Sequence, residues 1–282
     1  MSSSDSTCLL DPLPTSLLKS CSDILSTPLS SLINHSLADG IFPDSFKHAL
    51  VSPLLKKPNL PHDSFSSYRP ISNLSFISKL LERVVFSRLL THISSFPTFS
   101  PFQSAYRRFH STETALLRIH NDLLHAMDSK KLTALVLLDL SAAFDTIDHS
   151  ILLHRLQTWF GISSTALNFI SSYLSNRTQS VLIKSFSSPA LSVPTGVPQG
   201  SVLGPLLFIL YTTPLSHLLH HQALPFHLYA DDTQLYLSFS APDSTAALTN
   251  LSSSLITVTV LLGPWSLRRG EGEICSRATI VG

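Results

Sequence analysis

The sequence predicts an α+β fold with a central antiparallel sheet, and three patterns carry that prediction. Residues 134–138 form a short, wholly apolar run that is typical of a central strand buried on both faces. Residues 226–239 contain two strand-like segments around Asp231-Asp232, and the alternation of apolar and polar residues after this pair predicts a hairpin. Residues 152–160 place their apolar side chains on one helical face, which ends at Gly161. Helices mixed with antiparallel strands in this way indicate the α+β class.

Taken in order, further patterns predict the other elements. A disordered N-terminus at residues 1–10 precedes a helix that begins at Asp11-Pro12, and a strand follows at 49–55. The next helix, around residues 77–85, has three charged residues on its solvent side: Lys79, Glu82 and Arg83. The remaining predicted elements are helices at 114–127 and 167–174 and short strands at 181–183 and 191–193.

The composition fits a globular chain with one locally basic region. Its 282 residues, 44% of them apolar, suffice for one large or two small domains. Charged residues make up only 13% of the chain, and the formal net charge of +1 gives no overall basic signature. Residues 40–118 nevertheless hold ten Lys or Arg against four acidic residues, which indicates where a phosphate backbone would bind. A solvated helix face explains part of this excess equally well.

The adjacent carboxylates Asp231 and Asp232 indicate a metal site. Two neighbouring negative charges repel each other unless a cation lies between them or one is protonated, and a divalent metal is the economical explanation. An Asp-Asp pair also begins turns without any function. Asp139, at the C-terminal end of the apolar 134–138 run, supplies a second carboxylate at a strand end, and strand-end carboxylates can converge across a sheet.

A loop dense in glycine and proline lies between these acids, at residues 194–205. Such a loop is fixed in shape, and its backbone can approach a ligand closely. Pro205 suits the first turn of the apolar helix that follows. The loop is therefore interpreted as a template or nucleotide platform, or else as a plain connection between a strand and a helix.

These segments resemble the motifs of reverse transcriptases. In order along the chain, Asp139–Asp145 (DLSAAFD) resembles motif A, Gly196–Gly200 (GVPQG) resembles motif B, and Tyr229–Asp232 (YADD) resembles motif C. Upstream, Leu55–Pro58 and Tyr68–Ser72 resemble the fingers motifs, and Phe102–Arg107 resembles the segment before motif A. The whole is similar to the enzymes of non-LTR (LINE-like) retrotransposons, a class of transposable element, over roughly residues 9 to 240.

The resemblance implies the fingers and palm of a right-hand polymerase. Residues 11–130 are then fingers-like, 131–240 are the palm, and 241–282 are a divergent tail in place of a thumb. The implied activity is that of a nucleotidyltransferase, an RNA-directed DNA polymerase that adds deoxynucleotides to a DNA primer on an RNA template. Its implied cofactors are two Mg²⁺ ions, with Mn²⁺ as an alternative, held by hard oxygen ligands.

The resemblance also implies roles for individual residues. The metal ligands are Asp139, Asp231 and the backbone carbonyl of Leu140, with Asp232 as a supporting carboxylate. The nucleotide and template contacts are Lys56 and Arg69 at the triphosphate, Phe144 under the sugar, and Gln199 and Gly200. A bulky ring at position 144 would exclude a 2′-hydroxyl and so favour deoxynucleotides. Ordinary surface charge remains an alternative for both cations, as strand packing does for Tyr229.

The chain departs from the family pattern after Phe239. No lysine follows Lys184, whereas the family carries one in motif D, and residues 263–282 do not resemble the family's continuation. We therefore expect impaired activity, and an inactive retrotransposon remnant that at most binds nucleic acid is the alternative function. Three cysteines without a metal-ligand spacing, and an N-terminus unlike a secretion signal, predict an intracellular protein, cytoplasmic or nuclear, without a membrane partner.

Overall fold

The computed structural model describes residues 8–96, 99–140, 143–266 and 274–281, and the chain divides into two compact units. The first unit comprises residues 1–96 and 148–207, and the second comprises residues 97–147 and 208–282. Both units are discontinuous in sequence, whereas the sequence analysis divides the chain into consecutive segments; that functional division stays a prediction. The predicted disorder at residues 1–10 falls mostly on residues 1–7, which lie outside the described ranges.

The described helices and strands follow one another as an α+β chain. The helices are α1 Thr15–Ser20, α2 Ser22–Asp39, α3 Phe76–Ile93, α4 Thr112–Asp128, α5 His149–Phe160, α6 Ser164–Leu174, α7 Gly204–His221 and α8 Ser244–Ser266. The strands are β1 His48–Leu55, β2 Tyr68–Asn73, β3 Leu132–Leu140, β4 Thr178–Ile183, β5 Phe186–Ser187, β6 Leu191–Ser192, β7 Phe226–Tyr229, β8 Asp232–Phe239 and β9 Ile274–Val281.

The sheet of the first unit has the order β2-β1-β4-β5, and β6 pairs with β4. Strands β1 and β2 are antiparallel, whereas β1 and β4 are parallel. The strand predicted at residues 49–55 is confirmed by β1. Helices α2 and α6 lie against each other, as do α5 and α6.

The core of the first unit is centred on Phe42, which is fully buried. Its ring meets the rings of Tyr173 and Phe169 edge to face, at centroid distances of 5.0 and 5.9 Å. Such pairs contribute about 0.5–1.5 kcal/mol each beyond the burial of their area. On the predicted apolar face of α5, Leu152, Leu156 and Phe160 are buried, whereas Leu153 and Trp159 are half-buried. The helix ends as predicted at Gly161, whose φ of 62° is the left-handed conformation that a C-cap requires.

Two predictions about the N-terminal helices are wrong. Asp11 does not open a helix: both of its carboxylate oxygens accept from the backbone N–H of Phe76, at 3.0 and 3.1 Å, at the start of α3. Glu82 is not on the solvent side of α3, because its side chain is 0% exposed. In both cases a partner remote in sequence satisfies the carboxylate, and helical periodicity carries no information about such a partner.

The sheet of the second unit has the order β7-β8-β3-β9, and every pairing in it is antiparallel. The predicted burial of β3 on both faces is wrong. Val136 is 1% exposed, but its neighbour Leu137 is 44% exposed, so burial follows the alternation of the strand. One face of this strand is covered by the core, and the other is covered less completely.

The segment that the sequence analysis treats as a divergent tail contains two regular elements. Helix α8 follows β8, and β9 pairs with β3 from Thr133 opposite Val281 to Leu140 opposite Ile274. The strand gives little sequence signal because backbone groups make the pairing, and any residue except proline supplies both of them. In the described ranges, no helix is both long and apolar enough to cross a bilayer.

Candidate active site

The β7–β8 hairpin presents the two adjacent aspartates at its turn. Tyr229 pairs with Asp232, so Ala230 and Asp231 are the two residues of the turn. Ala230 has a φ of 56°, a left-handed conformation that residues other than glycine adopt uncommonly and that costs about 1–2 kcal/mol. Asp231 is half-buried and Asp232 is exposed. Backbone strain of this kind is concentrated at functional sites, where surrounding contacts hold it in place.

The contact that holds this turn comes from Gln103. Its side-chain oxygen accepts from the backbone N–H groups of Ala230, at 3.1 Å, and Ala105, at 3.0 Å. The backbone around it also binds β7: the N–H of Leu228 donates to Phe102 O at 2.9 Å, and Leu228 O accepts from the N–H of Ser104 at 2.9 Å. Gln103 is 2% exposed. In the sequence, the only signal for Gln103 is its position in the segment before motif A.

The backbone of Asp139 lies at the same end of the sheet as the aspartate pair. In the β3–β8 register, Leu138 is opposite Thr233. Because the strands are antiparallel, the position after Leu138 is next to the position before Thr233, which brings the backbones of Asp139 and Asp232 together. Directly opposed residues in such a pair have Cα atoms about 4.5–5.5 Å apart. For Asp139 and Leu140 the described geometry is that of the backbone, so their roles as ligands stay predictions.

Tyr106 adds to the electrostatics of this end of the sheet. Partial burial raises the pKa of its phenol above the ordinary value, and the negative charge of Asp231 raises the pKa further, as does nearby Tyr229. Its backbone is left-handed, with a φ of 57°. The segment that contains Gln103 therefore also places a neutral phenol near the turn.

The donor atoms at this end of the sheet suit a hard divalent cation. Carboxylate and backbone carbonyl oxygens are the ligands that Mg²⁺ prefers, and the turn is open to solvent at Asp232. Among the side chains that the structure describes, which do not include that of Asp139, no three His, Cys, Asp or Glu residues form a metal-binding group.

Phe144 is half-buried and rests on a buried partner. Its ring stacks on that of Phe208 in α7, with a centroid distance of 5.3 Å and an interplanar angle of 30°. Phe208 is itself buried. The ring at position 144 is therefore supported from one side.

The two predicted fingers cations lie on one hairpin of the first unit. Arg69 in β2 is opposite Leu54 in β1, and Lys56 donates its backbone N–H to Ser67 O at 2.9 Å. Lys56 directly follows the end of β1, and Arg69 is the second residue of β2, so their backbones lie near each other at this end of the strand pair. Both residues are exposed.

The predicted platform loop is bound closely to the same hairpin. The N–H of Ser72 in β2 donates to Gln199 O at 2.7 Å. Gly200 has a φ of 118°, and a Cβ atom there would lie 2.7 Å from Ser72 O. Earlier in the loop, His149 Nε2 donates to Gly196 O at 2.7 Å. The structure thus brings Gln199 and Gly200 against the strand that carries Arg69, and glycine is required where the two backbones meet.

Comparison with known proteins identifies a family and several relatives. The sequence profile of the family described as "Reverse transcriptase (RNA-dependent DNA polymerase)" matches residues 55–260. A probable RNA-directed DNA polymerase from transposon BS of Drosophila melanogaster is 31% identical over 85% of this chain. The RNA-directed DNA polymerase from mobile element jockey of the same species is 31% identical over 89% of it. The chain spans 26% and 27% of the lengths of these two relatives.

Solved structures give the same fold. Apo telomerase from Candida Tropicalis superposes with a TM-score of 0.55 at 14% identity, over 97% of this chain and 51% of the telomerase chain. A form truncated at its C-terminal domain gives a TM-score of 0.55 at 15% identity, over 89% of this chain and 55% of the other. At such identities the likeness is evidence of fold alone. The predicted α+β fold, with polymerase fingers and palm, is confirmed.

Proposed function

This chain belongs to the reverse transcriptase (RNA-dependent DNA polymerase) family as a LINE-like domain, and on that premise we propose that it synthesises DNA on an RNA template. The observation that carries the proposal is the β3–β8 register, which brings the backbone of Asp139 beside that of Asp232 at the turn that also holds Asp231. In this proposal the growing end is the 3′-hydroxyl of a DNA primer, and the substrates are deoxynucleoside triphosphates.

The metal ligands in this proposal are Asp139, Asp231 and the carbonyl of Leu140. When bound, two Mg²⁺ ions, or Mn²⁺ in their place, would increase the nucleophilicity of the primer hydroxyl and stabilise the leaving pyrophosphate. Asp232 supports the site as an additional carboxylate. Gln103 keeps the turn in shape, because its side chain satisfies the N–H of the strained Ala230.

Five residues make the nucleotide and template contacts in this proposal. Lys56 and Arg69 neutralise the triphosphate, and their nearby positions at one end of the β1–β2 pair support this role. Gln199 and Gly200 contact the nucleotide and the template, and their attachment to β2 supports it. Phe144 excludes the 2′-hydroxyl of a ribonucleotide. We also propose an intracellular location, cytoplasmic or nuclear, where an RNA template is found.

The proposal is tested by extension of a DNA primer annealed to an RNA template, with Mg²⁺ and all four deoxynucleotides. Asp231→Asn should lower the rate about 100-fold or more, because a lost charge at a reacting centre commonly costs that much. Asp128→Asn, which changes an exposed acid at the end of α4, is the matched control and should leave the rate unchanged. Extension by Asp231→Asn at the wild-type rate would exclude the assigned site. No extension by the wild-type chain with either metal would favour the inactive remnant.

A further inference from the structure

A carboxylate that the proposed chemistry does not use is buried in α3. Glu82 is 0% exposed. Burial of a carboxylate is unfavourable unless hydrogen bonds and charges replace the lost water. The partners that replace water around Glu82 therefore indicate what this residue does in the fold.

Those partners include the two residues that link the platform loop to α7. One carboxylate oxygen of Glu82 accepts from the backbone N–H groups of Val202, at 2.7 Å, and Leu203, at 3.1 Å. The hydroxyl of Tyr173 also donates to this oxygen, at 3.4 Å, and Ser78 donates to the other oxygen at 3.2 Å. The first N–H groups of a helix have no partner within the helix, and a negative charge there is favourable. Glu82 thus caps the start of α7 from another helix.

Hydrogen bonds and a nearby guanidinium balance the charge of Glu82. Burial raises the pKa of its carboxyl, while the N–H groups of Leu203 and Val202, the guanidinium of Arg177 and the hydroxyl of Ser78 oppose that increase. Arg177 is 2% exposed and donates from Nη1 to Tyr173 O at 2.9 Å. Its guanidinium carbon lies 4.8 Å from the centre of the Tyr173 ring.

The loop 196–203 is consequently fixed at three points. His149 holds Gly196, Ser72 holds Gln199, and Glu82 holds the residues that follow Gly200. The first two anchors bind carbonyl groups, whereas Glu82 is the anchor that binds N–H groups. The N–H of Ser201 also donates to Pro198 O at 3.0 Å, which closes a turn around Gln199 and Gly200. A displacement of Val202 would therefore also displace Gln199 and Gly200.

We infer that Glu82 is a positioning residue for this loop: as a buried acceptor for Val202 and Leu203, it fixes where Gln199 and Gly200 stand. The consequence for nucleotide use rests on the proposed function. The consequence for the order of the loop does not, so the two can be tested separately.

The test compares Glu82→Met with Glu82→Gln by amide hydrogen exchange. Both side chains are close to glutamate in size, but only glutamine keeps an acceptor oxygen. In Glu82→Met the amides of residues 196–203 should exchange about tenfold faster or more, as expected for the loss of a buried acceptor. In Glu82→Gln they should exchange at nearly the wild-type rate. Glu113→Gln, which changes a fully exposed glutamate at the start of α4, is the control for loss of a carboxylate as such.

Three outcomes would overturn the inference: unchanged loop exchange in Glu82→Met, equal behaviour of the Met and Gln variants, or a uniform increase throughout α3 and α6. The last outcome would make Glu82 a general support of the fold. In primer extension, Glu82→Met should raise the KM for deoxynucleotides several-fold with a smaller change in kcat, and Glu82→Gln should restore it. If the wild-type chain extends no primer, the proposed function fails, and the exchange experiment still decides the role of Glu82.

Discussion

Ser72 and Gln199, 127 residues apart in sequence, are joined by a 2.7 Å hydrogen bond between their backbones. This bond ties the platform loop to the strand that carries Arg69. It also places Gly200 so close to Ser72 O that a side chain would collide with it. The loop and the fingers cations therefore belong to one rigid arrangement in the first unit.

Gly200→Ala should lower both stability and nucleotide affinity. The added Cβ would lie 2.7 Å from a backbone oxygen, so the loop or β2 must shift. We expect a loss of about 1–3 kcal/mol in the free energy of unfolding, together with a higher KM for deoxynucleotides. Denaturant unfolding and steady-state primer extension measure the two effects.

The matched control is Gly161→Ala. Gly161 is also left-handed, but a Cβ there meets only the edge of Phe96, at 3.4 Å. It should lose about 1 kcal/mol from backbone strain, with an unchanged KM. If both variants change the KM for deoxynucleotides equally, the collision with Ser72 O is excluded as the cause of the change at position 200.

Gln103→Leu should weaken the aspartate turn. The change leaves the N–H of Ala230 without its acceptor, and such a loss costs about 1–3 kcal/mol. We expect slower primer extension and a less stable second unit, whereas Gln103→Glu, which keeps an acceptor oxygen, should be less affected in stability. Thermal unfolding and extension rates measure these effects, and a Leu variant indistinguishable from wild type would contradict the anchoring role.

Phe144→Ala should relax the preference for deoxynucleotides over ribonucleotides. In the proposed role, removal of the ring opens the space that a 2′-hydroxyl would occupy, so the discrimination ratio should fall by about tenfold or more. The ratio of kcat/KM for each nucleotide type on one template measures it. Phe208→Leu, which removes the ring beneath Phe144, should have a smaller effect in the same direction. Equal use of both nucleotide types by the wild-type chain would exclude this role.

Stability should depend on pH through Glu82. Burial raises the pKa of Glu82 in the folded chain above its unfolded value of about 4.3, so the folded state binds the proton more tightly. The stabilisation from protonated Glu82 is therefore complete below about pH 4 and is lost as the pH rises through the folded pKa. Glu82→Gln cannot titrate. The free energy of unfolding of the wild type, relative to this variant, should fall from pH 4 upwards in urea titrations; a constant difference would contradict the prediction.

The sequence predicted the elements whose signals are local. The apolar run before Asp139, the alternation after Asp232 and the Gly161 cap correspond to β3, β8 and the end of α5. These signals arise from burial and backbone conformation within one element, which periodicity and glycine placement record directly. For the same reason, the sequence alone places the segments that resemble family motifs on strands and turns.

What the sequence could not predict depends on partners far along the chain. In the sequence, Glu82 looks like any charged residue on a solvated helix face. Its burial is possible because it accepts from the N–H of Val202, 120 residues later in the chain. Gln103 and Ala230 are likewise joined across 127 residues. Strand β9 pairs through backbone groups that leave no side-chain pattern. Whether the absence of a lysine after Lys184 slows turnover stays a prediction.

Because of the register of β3 against β8, the candidate site depends on the number of residues in each strand as well as on their chemistry. Leu138 is opposite Thr233 only because both strands keep their full lengths up to that pair. One residue inserted or deleted within β3 would exchange the two faces of the strand and move position 139 out of step with the turn. Length changes before Leu132 leave that pairing intact. Tolerance of insertions should therefore change abruptly at the first residue of β3, even where the amino acids inserted are the same.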